Sequence, residues 1–154
     1  MIRNIIITLF AIVLSTTTYA DQNSLLVQNY LNSFASRDAN GIFELINWQG
    51  VDKKTRVSLQ KHIKSGFKGR QIRRIYIEPV PEGLSPSYVE NGKTYQLNLK
   101  PTGQLNIVYI SNKGKRTSNQ LLVGPHNGKM MIGSAVPAPA SLACKSEKGS
   151  NACW

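Results

Sequence analysis

Gly69-Arg-Gln-Ile-Arg-Arg-Ile-Tyr-Ile-Glu-Pro79 is where the periodicity of the chain changes. Before Gly69, apolar residues recur every three or four positions, the spacing that lines one face of a helix. After it they recur at about every second position, as on the buried face of a strand. Ile72, Ile75 and Ile77 with Tyr76 therefore read as a β-branched strand that stops at Pro79. Upstream, Ser24 can cap a helix carrying Val27, Tyr30, Leu31 and Phe34. Asp38 caps a shorter one with Ile42, Phe43, Leu45 and Ile46 on its buried side. Asp52 opens a third, in which Leu59, Ile63 and Phe67 recur and Gly66 and Gly69 bound the end. The expected helices run over 22–36, 38–47 and 52–67.

Downstream, Asn91-Gly92 is a two-residue hairpin signal between Tyr88-Val89 and Tyr95 to Leu99. Pro101-Thr-Gly103 interrupts that run. Strands are then expected from Leu105 to Ile110, Gln120 to Val123 and Met130 to Val136, with turns at Asn112-Lys-Gly114 and Asn127-Gly128. Three helices followed by four to six antiparallel strands make an α+β domain and exclude a βαβ fold.

The chain of 154 residues is 41% apolar. That is too much for a disordered tail and too little for a multi-span membrane protein. The first twenty residues have their own layout. A short n-region with Arg3 precedes the apolar run Ile5 to Leu14, and a polar stretch ends at Ala20, the pattern of a cleaved secretory signal. Ten apolar residues fall short of the roughly 20 needed to span a bilayer, so no transmembrane segment is expected after cleavage. The expected organisation is a signal at 1–20, one domain over 21–136, and a Pro/Ala spacer with a tail over 137–154. The protein is expected to be exported, periplasmic or secreted. Cys144 and Cys153 are the only two cysteines. In an oxidising compartment they read as one disulfide closing a short polar loop.

The step Arg37-Asp38-Ala39-Asn40 into the second helix, with the ending Leu121-Leu-Val-Gly124-x-x-Asn127-Gly128-Lys129-Met-Met-Ile132, resembles the nuclear-transport-factor-2-like superfamily. This superfamily is also called cystatin-like or ketosteroid-isomerase-like. The resemblance covers most of residues 22–136 and implies N-terminal helices packed on a curved antiparallel sheet, a cone-shaped roll. It implies little about function, because fold does not carry function. Enzymes of the superfamily place an Asp base and a Tyr or Asp acid inside the cone, so an enzyme reading would call for such a pair.

No motif places such a pair. Asp38 and Asp52 read as helix caps, and Glu82, Glu90 and Glu147 fall in loops or the tail. Only Glu44 and Glu78 have a chance of pointing inward. His62 and His126 lack the neighbours of a metal site. No catalytic residue, metal site or cofactor is expected, since neither a nucleophile elbow nor a Gly-rich phosphate loop is present. Trp48, Tyr76 and Tyr109 are candidates to line a pocket, against the plainer reading of aromatic core.

Charge is the uneven feature. Loss of the signal leaves 18 basic and 8 acidic residues, and residues 52–74 hold nine of those bases against Asp52 alone. Lys53, Lys54, Lys61, Lys64 and Lys68 fall within about 100° of arc on the third helix, and Arg70, Arg73 and Arg74 follow. Such a run is either a solvated face or a docking surface for an anionic partner. Export and the lack of interleaved aromatics argue against nucleic acid. An anionic envelope component or an acidic protein suits the compartment, which makes a non-catalytic binding module the leading expectation. The alternative is a small-molecule isomerase or hydrolase of the ketosteroid-isomerase-like type, signalled by an inward Glu44 or Glu78 facing a Tyr.

Overall fold

The computed structural model describes residues 19–85 and 87–139. Most of the expected signal segment, 1–20, and both cysteines, Cys144 and Cys153, lie outside the described residues. Three helices come first: α1 (Tyr19–Ala35), α2 (Ala39–Glu44) and α3 (Lys53–Gly66). Seven strands follow: β1 (Arg70–Glu78), β2 (Ser87–Glu90), β3 (Lys93–Leu97), β4 (Gly103–Ser111), β5 (Arg116–His126), β6 (Lys129–Ile132) and β7 (Ala135–Pro137). Helices preceding a curled antiparallel sheet give the expected α+β architecture. No helix among the described residues is long and apolar enough to cross a membrane.

Of the three expected caps, Ser24 falls inside α1, which already begins at Tyr19, while Asp38 and Asp52 cap as expected. Asp38 accepts from the Asn40 amide at 3.0 Å to open α2, and Asp52 accepts from the Thr55 amide at 2.9 Å to open α3. Both Asn-Gly turns are hairpins with two successive positive φ values: 50° and 73° at Asn91-Gly92, 49° and 75° at Asn127-Gly128. That backbone matches the right-handed twist of the flanking strands, and Asn and Gly are the residues that adopt it most readily.

The strands form a four-stranded sheet ordered β1-β4-β5-β6 and a three-stranded one ordered β2-β3-β7. One expected strand is divided between them. The stretch Met130 to Val136 is not one strand, because it leaves β6 at Gly133-Ser134 and joins the second sheet as β7. Val136 is buried there, and Pro137 pairs with Tyr95 on the edge, where a missing amide proton is tolerated. The expected spacer thus begins inside a strand. The β5 strand is also longer than expected. Its polar start, Arg116 to Gln120, is held by pairing to β4 and not by burial.

The β1–β4 pair contains the feature that lets residues 69–79 fold as they do. Ile72 is three positions from Ile75, an odd spacing that would place them on opposite faces of a regular strand. A bulge between Ile72 and Arg74 adds one residue, so that Ile72 lies opposite Tyr109 while Ile75 and Ile77 lie opposite Ile107 and Leu105. All three isoleucines then join one core. Its centre is Leu105, Ile107 and Val123, fully buried, with Leu26 and Tyr30 of α1 and Ile42 of α2 packed over them.

The two sheets are joined by asparagines. Asn98 donates to the Asn47 and Gln49 carbonyls at 2.8 and 2.9 Å and accepts from the Ser134 amide at 2.9 Å. Asn47 donates back to the Asn98 carbonyl at 3.1 Å. The loop after α2 is thereby tied to both sheets.

Candidate functional site

Helix α3 buries none of its residues. Its apolar positions Ile63 and, just beyond, Phe67 are half-covered against the core, while Lys53, Lys54, Lys61, Lys64 and Lys68 are exposed. Val57 is 42% exposed among the lysines. The acid of the segment is committed to the helix: the Asp52 carboxylate takes the Thr55 hydroxyl at 2.6 Å as well as the amide. Those hydrogen bonds, the hydroxyl's first, hold its pKa below the usual carboxylate range. Arg56 lies 5.1 Å over the Trp48 ring and the Lys64 ammonium 5.9 Å over Phe43, so two bases also pack on aromatics of the α2 region.

The bulge divides the arginines. Arg70 shares the helix-facing side of β1 with Ile72, whereas Arg74 lies opposite Val108 on the other face, its guanidinium 4.5 Å over Tyr76. Arg73 is the inserted residue. The structure thus turns Arg70 to the helix side of the sheet and Arg74 to the other side.

Between the ends of α1 and α3 and the start of β1 lies a groove of about 310 Å³. Leu31, Phe34, Phe67 and Ile72 line it, and Arg37 and Arg70 are its charged lining residues. Phe34 anchors an aromatic cluster, with its ring 5.3 Å from Phe67, 5.5 Å from Tyr109 and 6.5 Å from Tyr30. Beneath it the Tyr30 and Tyr109 hydroxyls are hydrogen-bonded to each other at 2.9 Å. Burial pushes both phenols up, Tyr30 far above the ordinary tyrosine value. At Tyr109 the bond to Tyr30 and the nearby Arg70 charge oppose that rise. The sequence marks Tyr30, Phe34 and Phe67 as core positions but gives no sign that they converge. Arg37 was visible only as part of the step into α2.

The remaining candidates are scattered. Glu44 is exposed and lines a separate groove of about 250 Å³ between α1 and β6, with Leu25 and Met130. Glu78 is half-buried on the sheet face away from the helices, where its carboxylate accepts from Asn106 at 2.8 Å. Neither carboxylate faces the phenol pair. Tyr76 is on the same outer face as Glu78, and Trp48 donates to the Phe43 carbonyl at 2.7 Å, which leaves Tyr109 alone of the three aromatic candidates beside the groove. His62 is exposed on α3, and His126 ends β5 beside the turn, within 3.2 Å of the Asn127 amide. Among the described residues no three metal-ligating side chains come together.

No family model and no curated protein matches the chain. Among solved structures it is similar to a Campylobacter jejuni protein provisionally described as an NTF2-like transpeptidase, at 10% identity and a TM-score of 0.41, over 71% of this chain and 94% of that one. It is also similar to a designed NTF2 variant, at 16% identity and a TM-score of 0.41, over 79% of this chain and all of the other. Likeness at this level concerns fold alone. The α+β assignment rests on the strand order and register given above.

Proposed function

We propose that the chain is an exported, non-catalytic binding module that docks an anionic envelope surface through the lysine face of α3. The observation that supports this reading is the exposure of Lys53, Lys54, Lys61, Lys64 and Lys68 on a helix that contributes no fully buried residue to the core. A helix placed this way has little structural need for so many like charges, which repel one another along its surface. An anionic partner turns that repulsion into attraction. The isomerase or hydrolase alternative calls for an inward carboxylate facing a tyrosine, whereas Glu44 is exposed and Glu78 lies on the sheet face away from the helices.

Vesicles of anionic phospholipid diluted in neutral phospholipid should retain the protein at low salt. They should release it steeply as salt passes the physiological range, where exposed charges are screened over about 8 Å. Changing Lys61, Lys64 and Lys68 together to Glu should abolish retention with little change in Tm, since exposed substitutions usually stay within about 0.5 kcal/mol each. Retention that ignores salt, or that survives the triple change, would return α3 to an ordinary solvated face.

A further inference from the structure

Arg37 occupies a position for which its side chain is poorly suited. It is the residue after the C-cap of α1, with φ at +57°. Its amide donates to the Phe34 carbonyl at 3.2 Å, and the Asp38 amide donates to the Ser33 carbonyl at 2.8 Å, the paired bonds of a Schellman ending. Helices ending this way most often use glycine, because a Cβ disfavours the left-handed backbone. An arginine held there calls for a reason outside the helix. Arg37 lines the groove together with Arg70, and apart from Gln71 the rest of the lining is apolar: Leu31, Phe34, Ala35, Phe67 and Ile72.

We propose that this groove binds a single-chain amphiphile with a phosphate headgroup, the headgroup held by Arg37 and Arg70 and the alkyl chain laid along Leu31, Phe34, Phe67 and Ile72. Two guanidiniums match a phosphate in charge and in forked geometry. The volume of about 310 Å³ is at the small end of ligand pockets, which suits one chain and not a two-tailed lipid. The inference rests on the anion-binding reading above and names a ligand class for a site beside the α3 face.

The test is calorimetric titration of the full chain with dodecyl phosphate below its micelle concentration. Butyl phosphate, inorganic phosphate and dodecyl maltoside serve as comparisons. Dodecyl phosphate should bind about tenfold or more tightly than each of the others, because only it satisfies both halves of the site. Arg37→Gly and Arg70→Gln should each weaken it by about tenfold. Arg37→Gly should do so while melting no lower than the parent, which separates ligand binding from a structural role. Dodecyl phosphate should still bind at salt that strips the protein from vesicles. If vesicles never retain the protein but dodecyl phosphate binds through the arginines, the surface reading falls and the groove stands. Equal affinity for dodecyl maltoside, or unchanged binding in Arg37→Gly, would overturn the groove assignment.

Discussion

Arg37 and Asn98 show how single side chains carry different burdens in this domain. At Arg37 the left-handed backbone, φ +57°, crowds the Cβ against its own carbonyl. Glycine relieves that strain but enters folding with a more flexible unfolded chain. The balance favours glycine, so Arg37→Gly should raise unfolding stability by about 0.5–1 kcal/mol in urea titrations. An unchanged or lower value would mean that the arginine side chain contributes packing that offsets the strain. Asn98 is the opposite case. Its amide group satisfies the Asn47 and Gln49 carbonyls and the Ser134 amide at once. Asn98→Ala leaves partly buried groups on three segments without these partners, and a loss of about 2–3 kcal/mol is expected by the same measurement. Asn98→Asp should also destabilise, because a carboxylate cannot donate to two carbonyls.

Among the elements, α3 and β1 respond to different forces. The N-terminus of α3 depends on the ionised Asp52, whose carboxyl is held below its ordinary value by the Thr55 hydroxyl and amide. A group depressed in the folded state contributes stability above its unfolded pKa and loses that contribution as pH falls through the folded one. Asp52→Asn should therefore differ from the parent most at neutral pH, and the gap should close in acid below the ordinary carboxylate range. Thermal melts across that range check it, and a gap that persists in acid would assign the effect to something other than ionisation. In β1 the governing feature is the bulge. Deleting Arg73 removes the extra residue and leaves Ile72 two positions from Ile75, so a regular strand keeps Ile72, Ile75 and Ile77 on the core face in the same register. With the isoleucine contacts kept, the deletion should stay within about 0.5 kcal/mol of the parent, measured in urea. A large loss of stability would show that the bulge itself, and not only the register it permits, is needed for packing. As an edge strand with three arginines, β1 is also guarded against pairing with other chains, whereas the β6 edge is covered by the bridge from Ile46 to Ile132.

At the scale of the whole molecule, the phenol pair joins the first helix to the central strand at the middle of the core. Burial keeps Tyr30 and Tyr109 protonated in the folded state above the pH at which tyrosines of the unfolded chain ionise, about 10. Their contribution is complete below that pH and falls as pH rises beyond it, because the unfolded chain then releases protons that the native one retains. Tyr30→Phe should flatten that alkaline decline, and an unchanged slope would show that other groups govern it. Much of this architecture is legible in local pattern. The order of helices and strands follows from the change of apolar period at Gly69, and the helix starts follow from Asp38 and Asp52. The two hairpins follow from dihedrals that Asn and Gly readily adopt. Each of these depends on residues within a few positions of one another, so neighbouring residues suffice to specify it. The groove is different. Tyr30 and Tyr109 are 79 positions apart, and Arg70 joins Arg37 while Arg74 does not because a bulge at Arg73 separates their faces. The division of Met130 to Val136 between two sheets likewise depends on where β3 lies to receive Val136. Local periodicity specifies which residues seek burial; the partner each one meets, and the face to which each charge is turned, are settled by packing between segments distant in the chain.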